Sequence, residues 1–228
     1  MKKSVAVLGL GKYGRSVAKS LYAIGEDVLV ADKDERRIRD ISSKVTSAVC
    51  ADLENEDEVM ALGLQNMDIV ITAMGGNIAA SIMAVSIAKE KGVPLVIAKS
   101  SSSRMATILQ RVGADKIVDP EKEGGVRSAR ILASQSIHDY IELDDNLCLV
   151  ELQPRNSWLG KSLIELDLRK KHNMNVAAIK EKGGNWRYIN PSHKLTENNL
   201  LMVILEKKDI EKWIARSEER FSRNAETD

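Results

Sequence analysis

The chain has few of the side chains that form disulfides, metal sites and acid–base catalysts. Its 228 residues include two cysteines and three histidines. Cys50 and Cys148 have no Cys-x-x-Cys partner and no cluster of histidines nearby, so their spacing argues against a zinc site or a disulfide framework. This cysteine usage fits a protein of the reducing cytoplasm.

The sequence also lacks a charge imbalance and a membrane-spanning segment. Its formal net charge is +1, which predicts no general attraction to nucleic acid. Met1-Lys2-Lys3 leads directly into strand residues, without the apolar core of a signal peptide. Residues 69–88 carry no charge, but Gly75-Gly76-Asn77 stands at their centre. We therefore expect a strand, a loop and a buried helix here, with no insertion into a membrane.

A glycine-rich turn follows the first apolar run. Residues 4–8 lead into Gly9-Leu10-Gly11-Lys12-Tyr13-Gly14, and a second apolar run ends at Asp32. A strand, glycine turn, helix, strand and acid in this order are typical of dinucleotide-binding folds. The pattern therefore predicts nucleotide binding, against the alternative of a turn kept only for packing.

Each residue of this pattern has an expected role. Gly9 permits the tight turn, Gly11 lets the backbone approach a phosphate, and Gly14 lets the helix pack closely on the strand. Asp32 is placed to accept hydrogen bonds from both hydroxyls of an adenosine ribose.

Apolar strands and helices alternate over the first two thirds of the chain. Near-continuous apolar strands separated by helices predict a parallel sheet covered on both faces, in an α/β, Rossmann-type, doubly wound domain. The expected strands are residues 4–8, 28–31, 48–51, 69–73, 95–98 and 116–118, and the expected helices are residues 16–24, 35–44, 56–62, 79–90, 101–112 and 125–134.

The pattern changes at the polar, acidic residues 139–146. Beyond them we expect a small α+β domain with strands at 147–152, 176–180, 186–189 and 200–205 and helices at 162–169 and 208–215. The expected domains are residues 1–140 and 141–215, followed by a charged, disordered tail at 216–228.

The histidines do not favour an enzyme. His138, His172 and His193 do not follow a predicted strand of the first domain, where catalytic groups of such folds lie. The sequence also has no Tyr-x-x-x-Lys pair of the short-chain dehydrogenase type. The chain is therefore expected to be a nucleotide sensor without chemistry, and a small NAD-dependent oxidoreductase is the alternative.

Charged residues near the predicted strand ends have two interpretations each. Lys12 and Arg15 flank the glycine turn and either neutralise outer phosphates of a nucleotide or are solvated. Lys99 is either a phosphate ligand or an ordinary loop lysine. Asp52 either meets the adenosine end of a ligand or caps a helix.

Several motifs in order resemble the RCK domain, the regulator of potassium conductance. Their order and spacing are similar to those of the cytosolic subunits of Ktr and Trk potassium uptake systems, and residues 147–213 resemble the small C-terminal RCK subdomain. The motifs are Gly9-Leu10-Gly11-Lys12-Tyr13-Gly14 with Asp32, Ala51-Asp52, Ala73-Met74-Gly75-Gly76-Asn77, Val112-Gly113-Ala114-Asp115 and Asp119-Pro120-Glu121.

This resemblance implies a regulator and not an enzyme. It implies homodimers that assemble into an octameric ring on a membrane potassium transporter subunit, on the inner face of the membrane, and that gate it when the bound nucleotide changes. ATP and ADP are the expected ligands, and NAD(H) is the alternative. A single RCK unit favours the Ktr-type arrangement over the Trk type. The regulatory subunit of a cation/proton antiporter shares this domain and is a further alternative.

The resemblance also assigns site residues. Lys12 stands where many Ktr subunits carry an arginine that reaches the outer phosphate of a nucleotide held by the adjacent subunit. Glu121 matches an acid that helps to hold Mg²⁺ or Ca²⁺ at the dimer interface, and a helix-start acid is the alternative. The complete expected nucleotide set is Gly9, Gly11, Lys12, Tyr13, Gly14, Asp32, Lys33, Asp52, Ala73, Asn77, Lys99 and Glu121.

The second domain contains a basic stretch. Residues 167–194 include seven lysines and arginines against two acidic residues, which suggests an anionic ligand or an acidic partner. By resemblance, Arg169, Asn175 and Pro191 match a cyclic di-AMP pocket between paired C-terminal subdomains, and a solvated basic face is the alternative. Trp186 is expected in the core of the small sheet, with base stacking as its other interpretation.

Overall fold

The computed structural model of the chain describes residues 2–134 and 136–210. The chain divides into two compact units, Met1–Lys122 and Glu123–Asp228. The expected tail at 216–228 and most of the expected helix at 208–215 lie outside the described residues. Among the described helices, none combines the length and the apolar character needed to cross a bilayer.

The first unit contains a six-stranded parallel sheet with strand order β3-β2-β1-β4-β5-β6. This order confirms the expected doubly wound, Rossmann-type fold. Its elements are β1 (Ser4–Leu8), α1 (Lys12–Ala23), β2 (Asp27–Asp32), α2 (Glu35–Ile41), β3 (Ser47–Cys50), α3 (Glu56–Ala61), β4 (Ile69–Thr72), α4 (Ile78–Glu90), β5 (Leu95–Lys99), α5 (Ser103–Val112) and β6 (Lys116–Val118).

Helices cover both faces of this sheet. In β1, Val5 and Val7 belong to one apolar cluster, which includes residues of α1 and α2. Ala6 and Leu8 belong to another cluster, with residues of α3, α4 and α5. Because alternate residues of a strand point to opposite faces, both faces are buried. The carboxyl ends of the strands are left as the place where a ligand can approach.

Helix α1 begins directly at the glycine turn. The sequence predicts its start at Ser16, but the helix starts at Lys12, with Gly11 as its N-cap residue. The first backbone N–H groups of a helix have no partner within it. The earlier start therefore brings these free donors to the end of β1.

The second unit contains a four-stranded antiparallel sheet with strand order β7-β8-β10-β9. One apolar cluster forms its core and includes Tyr140, Trp158 and Leu201. The chain enters this unit within α6 (Pro120–Leu132), and the further elements are β7 (Ile137–Glu142), β8 (Leu147–Leu152), α7 (Leu163–Leu166), α8 (Leu168–His172), β9 (Asn175–Glu181) and β10 (Asn199–Glu206).

Several details of the second unit differ from expectation. β7 covers the first part of the polar stretch at 139–146 and ends at Glu142, and the second unit begins at Glu123, before the predicted boundary. The expected strand at 186–189 is wrong, since only Arg187 forms a bridge, to Ile179. Trp186 is half-buried and does not belong to the core cluster; its ring lies 4.4 Å from the Lys180 ammonium.

Candidate functional site

A cavity of about 500 Å³ opens at the carboxyl ends of the parallel strands. It lies where the strand order reverses between β1 and β4, which is where doubly wound sheets bind ligands. The lining residues are Gly9, Gly11, Asp32, Lys33, Asp34, Arg37, Asp52, Leu53, Glu54, Ala73, Met74, Gly75, Gly76, Asn77, Ala80 and Lys99.

The glycine turn forms one wall of this cavity. Gly9 has a φ of +96°, in the left-handed region that favours glycine. A Cβ on Gly14 would stand 2.0 Å from the carbonyl oxygen of Gly9, so this position packs the helix on the strand. A Cβ on Gly11 would meet nothing within 4 Å, which leaves open space beside its backbone. An anion in that space would meet the free N–H groups at the start of α1.

Asp32 presents a buried carboxylate at the end of β2. Only 6% of the residue is exposed. Oδ2 accepts the Leu10 N–H at 2.6 Å, and Oδ1 accepts the Asp34 N–H at 2.9 Å. The Arg37 guanidinium donates to Oδ2 at 3.3 Å. These bonds hold the acceptor oxygens at the cavity wall.

Arg37 lines the cavity but is not among the predicted site residues. It lies on α2 and also reaches Asp34, with 3.5 Å between Nε and Oδ2. The sequence shows only that Arg37 follows Asp32 by five residues, and its approach to the cavity depends on the orientation of α2.

A polar cluster lines the cavity at the ends of β3 and β4. Asp52 Oδ1 accepts the Glu54 N–H at 3.1 Å. Asn77 caps α4 through the Ala80 N–H, and its amide donates to Glu54 Oε1 at 2.6 Å. Lys33 lies 3.4 Å from the same Glu54 oxygen. Glu54, like Arg37, is therefore a charged lining residue that is absent from the predicted set, and it carries acceptors suited to a base or a hydroxyl.

Lys99 connects the cavity to Glu121. Its ammonium lies 2.6 Å from Glu121 Oε1 and 6.0 Å from the centre of the Tyr13 ring. The hydrogen bond from Lys99 lowers the pKa of Glu121 below its ordinary value. Glu121 and Tyr13 do not line the cavity, so Lys99 is their link to it.

The metal expected at Glu121 lies between two protomers, and a single chain does not test that prediction. Within the described residues, no three His, Cys, Asp or Glu side chains lie close enough together to hold a metal ion. The Glu121 carboxylate is already bonded to an ammonium group. A Mg²⁺ or Ca²⁺ site here would need oxygen ligands from a second protomer.

Two other predicted groups lie outside the cavity lining. Lys12 lines a separate groove beside the glycine turn. Arg169, Asn175 and Pro191 of the second unit are exposed, and no hydrogen bond joins them to one another in the described part of the chain.

Comparisons with known proteins agree along the length of the chain. The TrkA-N domain family model matches residues 5–120. The Ktr system potassium uptake protein A of Bacillus subtilis is 35% identical over 211 residues, which is 92% of this chain and 95% of that protein. The Ktr system potassium uptake protein C of the same organism is 35% identical over 218 residues, 95% of this chain and 98% of that protein.

Solved structures share the fold. The crystal structure of the GsuK RCK domain has a TM-score of 0.63 at 16% sequence identity and covers 92% of this chain. The chain spans 46% of that solved chain, about half of its length. At this level of identity the likeness concerns the fold alone.

Proposed function

Because the chain belongs to the TrkA-N domain family, we propose that it is a regulatory subunit of a potassium uptake system that senses an adenine nucleotide. The observation that carries the proposal is the end-to-end match to the Ktr proteins, over 92% of this chain and 95% of protein A. A match of that extent includes the second unit as well as the first unit, with its cavity at the carboxyl ends of the parallel strands.

The cavity supports an adenine nucleotide as the sensed ligand. Gly9 and Gly11 line it beside the helix start that would hold phosphates, and Asp32 offers fixed acceptors to ribose hydroxyls. Asp52, Glu54 and Asn77 supply polar groups for the adenosine end. ATP and ADP are our preferred pair, and NAD(H) shares the adenosine moiety and is the competing ligand.

Regulation would follow from a difference in affinity. A ligand shifts an equilibrium between two conformations only to the extent that it binds one better than the other. We expect one nucleotide to favour the conformation that allows potassium uptake and another to favour the alternative.

The partners follow from the same membership. We expect homodimers that assemble into an octameric ring, docked in the cytoplasm on a potassium-transporting membrane subunit. We propose that Glu121 holds a divalent cation together with a second protomer, in place of its bond to Lys99. Arg169, Asn175 and Pro191 would bind cyclic di-AMP only where two second units pair.

Two alternatives remain, and they differ in mechanism. An NAD-dependent oxidoreductase needs a proton donor or acceptor beside the nicotinamide, and for that role the cavity lining offers carboxylates and lysines but no His, Tyr or Cys. A cation/proton antiporter regulator would use the same cavity, so only the identity of the transported ion separates it from our proposal.

The binding test compares ATP, ADP and NADH by calorimetry on nucleotide-free protein and on Asp32→Asn. The amide keeps the shape of the side chain but removes the charge and one acceptor. We expect about tenfold weaker binding of each nucleotide. Asp40→Asn is the matched control, because Asp40 is exposed and does not line the cavity. If NADH binds far more tightly than ATP, the ATP/ADP switch is wrong.

The transport test uses cells that lack their own potassium uptake. Growth at low potassium should require both this chain and a Ktr-type membrane subunit, and Asp32→Asn should change the uptake rate while Asp40→Asn should not. Restored growth with the membrane subunit alone, at the same rate, would contradict a regulatory role.

A further inference from the structure

Arg37 uses part of the hydrogen-bonding capacity of the Asp32 carboxylate. A carboxylate has about four lone-pair sites, two on each oxygen. Oδ2 of Asp32 accepts the Leu10 N–H at 2.6 Å and an Arg37 N–H at 3.3 Å. Oδ1 accepts the Asp34 N–H at 2.9 Å. Among the described residues no other donor bonds to this carboxylate, so one acceptor site is left, on Oδ1.

A ribose has two neighbouring hydroxyl groups, and Asp32 has room for one of them. A carboxylate that binds both hydroxyls needs a free site on each of its oxygens. The Leu10 N–H belongs to the backbone of the glycine turn, so it cannot leave Oδ2 unless the turn itself moves. The Arg37 guanidinium therefore stands in the place that the second hydroxyl would take.

A second acid holds the guanidinium in this place. Arg37 Nε lies 3.5 Å from Oδ2 of Asp34, three residues earlier in the chain. Asp34 is the N-cap residue of α2, where its Oδ1 accepts the Arg36 N–H at 2.9 Å. The start of α2 thus sets the position of Arg37, which reaches Asp32 without the help of a ligand.

A ribose hydroxyl competes poorly for the place of Arg37. The contact between Arg37 and Asp32 joins two full charges, and only 8% of the Asp32 side chain is exposed, whereas a hydroxyl carries no charge. A guanidinium that already faces two carboxylates gains little from a hydroxyl oxygen, because water binds both groups in the free state. The two hydroxyls of one ribose therefore meet different environments.

We propose that Arg37 makes ribose recognition unequal, so that Asp32 binds one of the two hydroxyls and not both. Arg37 is then a specificity-determining residue of the cavity, which accepts a nucleotide that lacks the other hydroxyl almost as well as the ribonucleotide. The inference rests on the nucleotide cavity of the proposed function, and it narrows which part of the ribose that cavity reads.

Calorimetry with AMP, 2′-deoxy-AMP and 3′-deoxy-AMP tests the proposal on the wild-type chain. One deoxy analogue should bind at least about tenfold more weakly than AMP, because it loses a hydrogen bond to a carboxylate. The other should bind within about threefold of AMP. This comparison needs no variant, so the proposal can fail even if a variant does not fold.

Arg37→Met tests whether Arg37 is the cause of the difference. Methionine keeps an unbranched side chain but donates no hydrogen bond, so Oδ2 of Asp32 gains a free site for the second hydroxyl. Both deoxy analogues should then bind about tenfold more weakly than AMP. Arg39→Met is the matched control, because Arg39 lies on the same helix, pairs with Glu35 at 3.2 Å and does not line the cavity. It should keep the unequal losses of the wild type.

Three results would overturn the proposal. They are equal losses for the two deoxy analogues in the wild type, losses in Arg37→Met that stay as unequal as before, and losses in Arg39→Met that become equal. Each of them leaves AMP binding, and with it the proposed function, intact. If AMP itself does not bind, the nucleotide cavity of the proposed function is wrong, and the inference that rests on it is wrong as well.

Discussion

The strands of the two units differ in how they bury their side chains. In β1 of the parallel sheet, Val5 to Leu8 are all buried, whereas burial alternates along β8 of the antiparallel sheet. The parallel sheet is covered by helices on both faces and can meet a ligand only at its strand ends, where the cavity lies. The antiparallel sheet packs one face on a single core and leaves the other partly exposed.

This difference separates two tasks within one chain. The first unit places polar groups at the carboxyl ends of rigid strands, an arrangement that suits ligand binding. The second unit has a basic, partly exposed surface, which suits contact with an anion or another molecule. Substitutions in one unit at a time test this difference, when the stability of both units is measured for each variant.

The largest effect is expected from Gly14→Ala in the first unit. Its Cβ would stand 2.0 Å from the Gly9 carbonyl oxygen and 2.9 Å from Ala73 Cβ. Backbone cannot move aside cheaply, so we expect a loss of roughly 3 kcal/mol or more in the free energy of unfolding. Urea titration followed by far-ultraviolet circular dichroism measures it.

Gly11→Ala is the control for that change. Gly11 has a φ of −62° and open space around its Cβ, so stability should change little. Nucleotide binding should still weaken, because the methyl group would project where a phosphate approaches. Equal loss of stability in both variants would contradict the distinction between a packing and a binding glycine.

Leu201→Ala is expected to damage the second unit by about 3 kcal/mol. Leu201 is fully buried in β10, between Leu152 of β8 and Ile179 of β9. Trp158 and Trp186 are the tryptophans of the described residues, and both belong to the second unit. The midpoint of the urea transition that tryptophan fluorescence reports should therefore shift to a lower urea concentration.

In Leu201→Ala, AMP binding shows whether the first unit stays folded when the second is destabilised. We expect Leu201→Ala to bind AMP as the wild type does at low urea, since its cavity belongs to the first unit. Leu8→Ala is the reciprocal variant, because Leu8 is equally buried in the core of the first unit. Loss of AMP binding in Leu201→Ala without urea would show that the units do not fold independently.

The difference in burial also explains which parts of the fold could be predicted. All six parallel strands were predictable, because near-continuous apolar runs need no knowledge of their neighbours. β7 was not, since only Ile137 and Tyr140 of its six residues are buried and a bulge interrupts its pairing. The apolar residues around Trp186 predict a strand, but they pair through one bridge only.

The sequence likewise predicts only some of the residues that line the cavity. Gly9, Gly11 and Asp32 belong to a local pattern whose spacing is visible in the sequence, and they line the cavity. Arg37 and Glu54 reach it through helix orientation and through bonds to Asp32 and Asn77. Such contacts depend on tertiary structure, which spacing does not contain.

A smaller, pH-dependent contribution to stability is expected from one carboxylate in each unit, Asp139 in the second and Asp115 in the first. The two hydrogen bonds from Arg127, both at 2.7 Å, lower the pKa of Asp139 below its ordinary value of 3.8. In the first unit, the Val96 N–H is the main cause of the lowered pKa of Asp115, and Lys89 contributes less. A lowered pKa adds stability above the unfolded value, which is lost as pH falls through the folded value.

Arg127→Ala should therefore cost more stability at pH 7 than Lys89→Ala, and both should cost less than Leu201→Ala. The difference between Arg127→Ala and the wild type should shrink as pH falls below 3.8, because protonated Asp139 no longer gains from the guanidinium. Urea titrations at pH 7, 5 and 3 measure this. A difference that stays constant with pH would show that Arg127 contributes through packing.

The smallest effect concerns backbone conformation, in which the units also differ. Among the described residues, the non-glycine positions with positive φ are Asp167 and Asn173, both in the second unit. Asp167, at a φ of 46°, separates α7 from α8, where the sequence predicts one helix at 162–169. Only the local conformation of this residue divides the two helices.

Asp167→Gly should change the free energy of unfolding by less than about 0.5 kcal/mol, whereas Asp167→Ala should cost about 1 kcal/mol, because alanine is strained in the left-handed region. In the first unit, Gly113→Ala provides the comparison, at a φ of +119° with its Cβ 3.0 Å from Lys89. It should cost more than Asp167→Ala, since strain and contact add. Tryptophan fluorescence reports the second unit, and far-ultraviolet circular dichroism reports the secondary structure of both units together. If Asp167→Ala is as stable as the wild type, the left-handed conformation at this position does not strain alanine, and the expected difference between Asp167→Gly and Asp167→Ala is wrong.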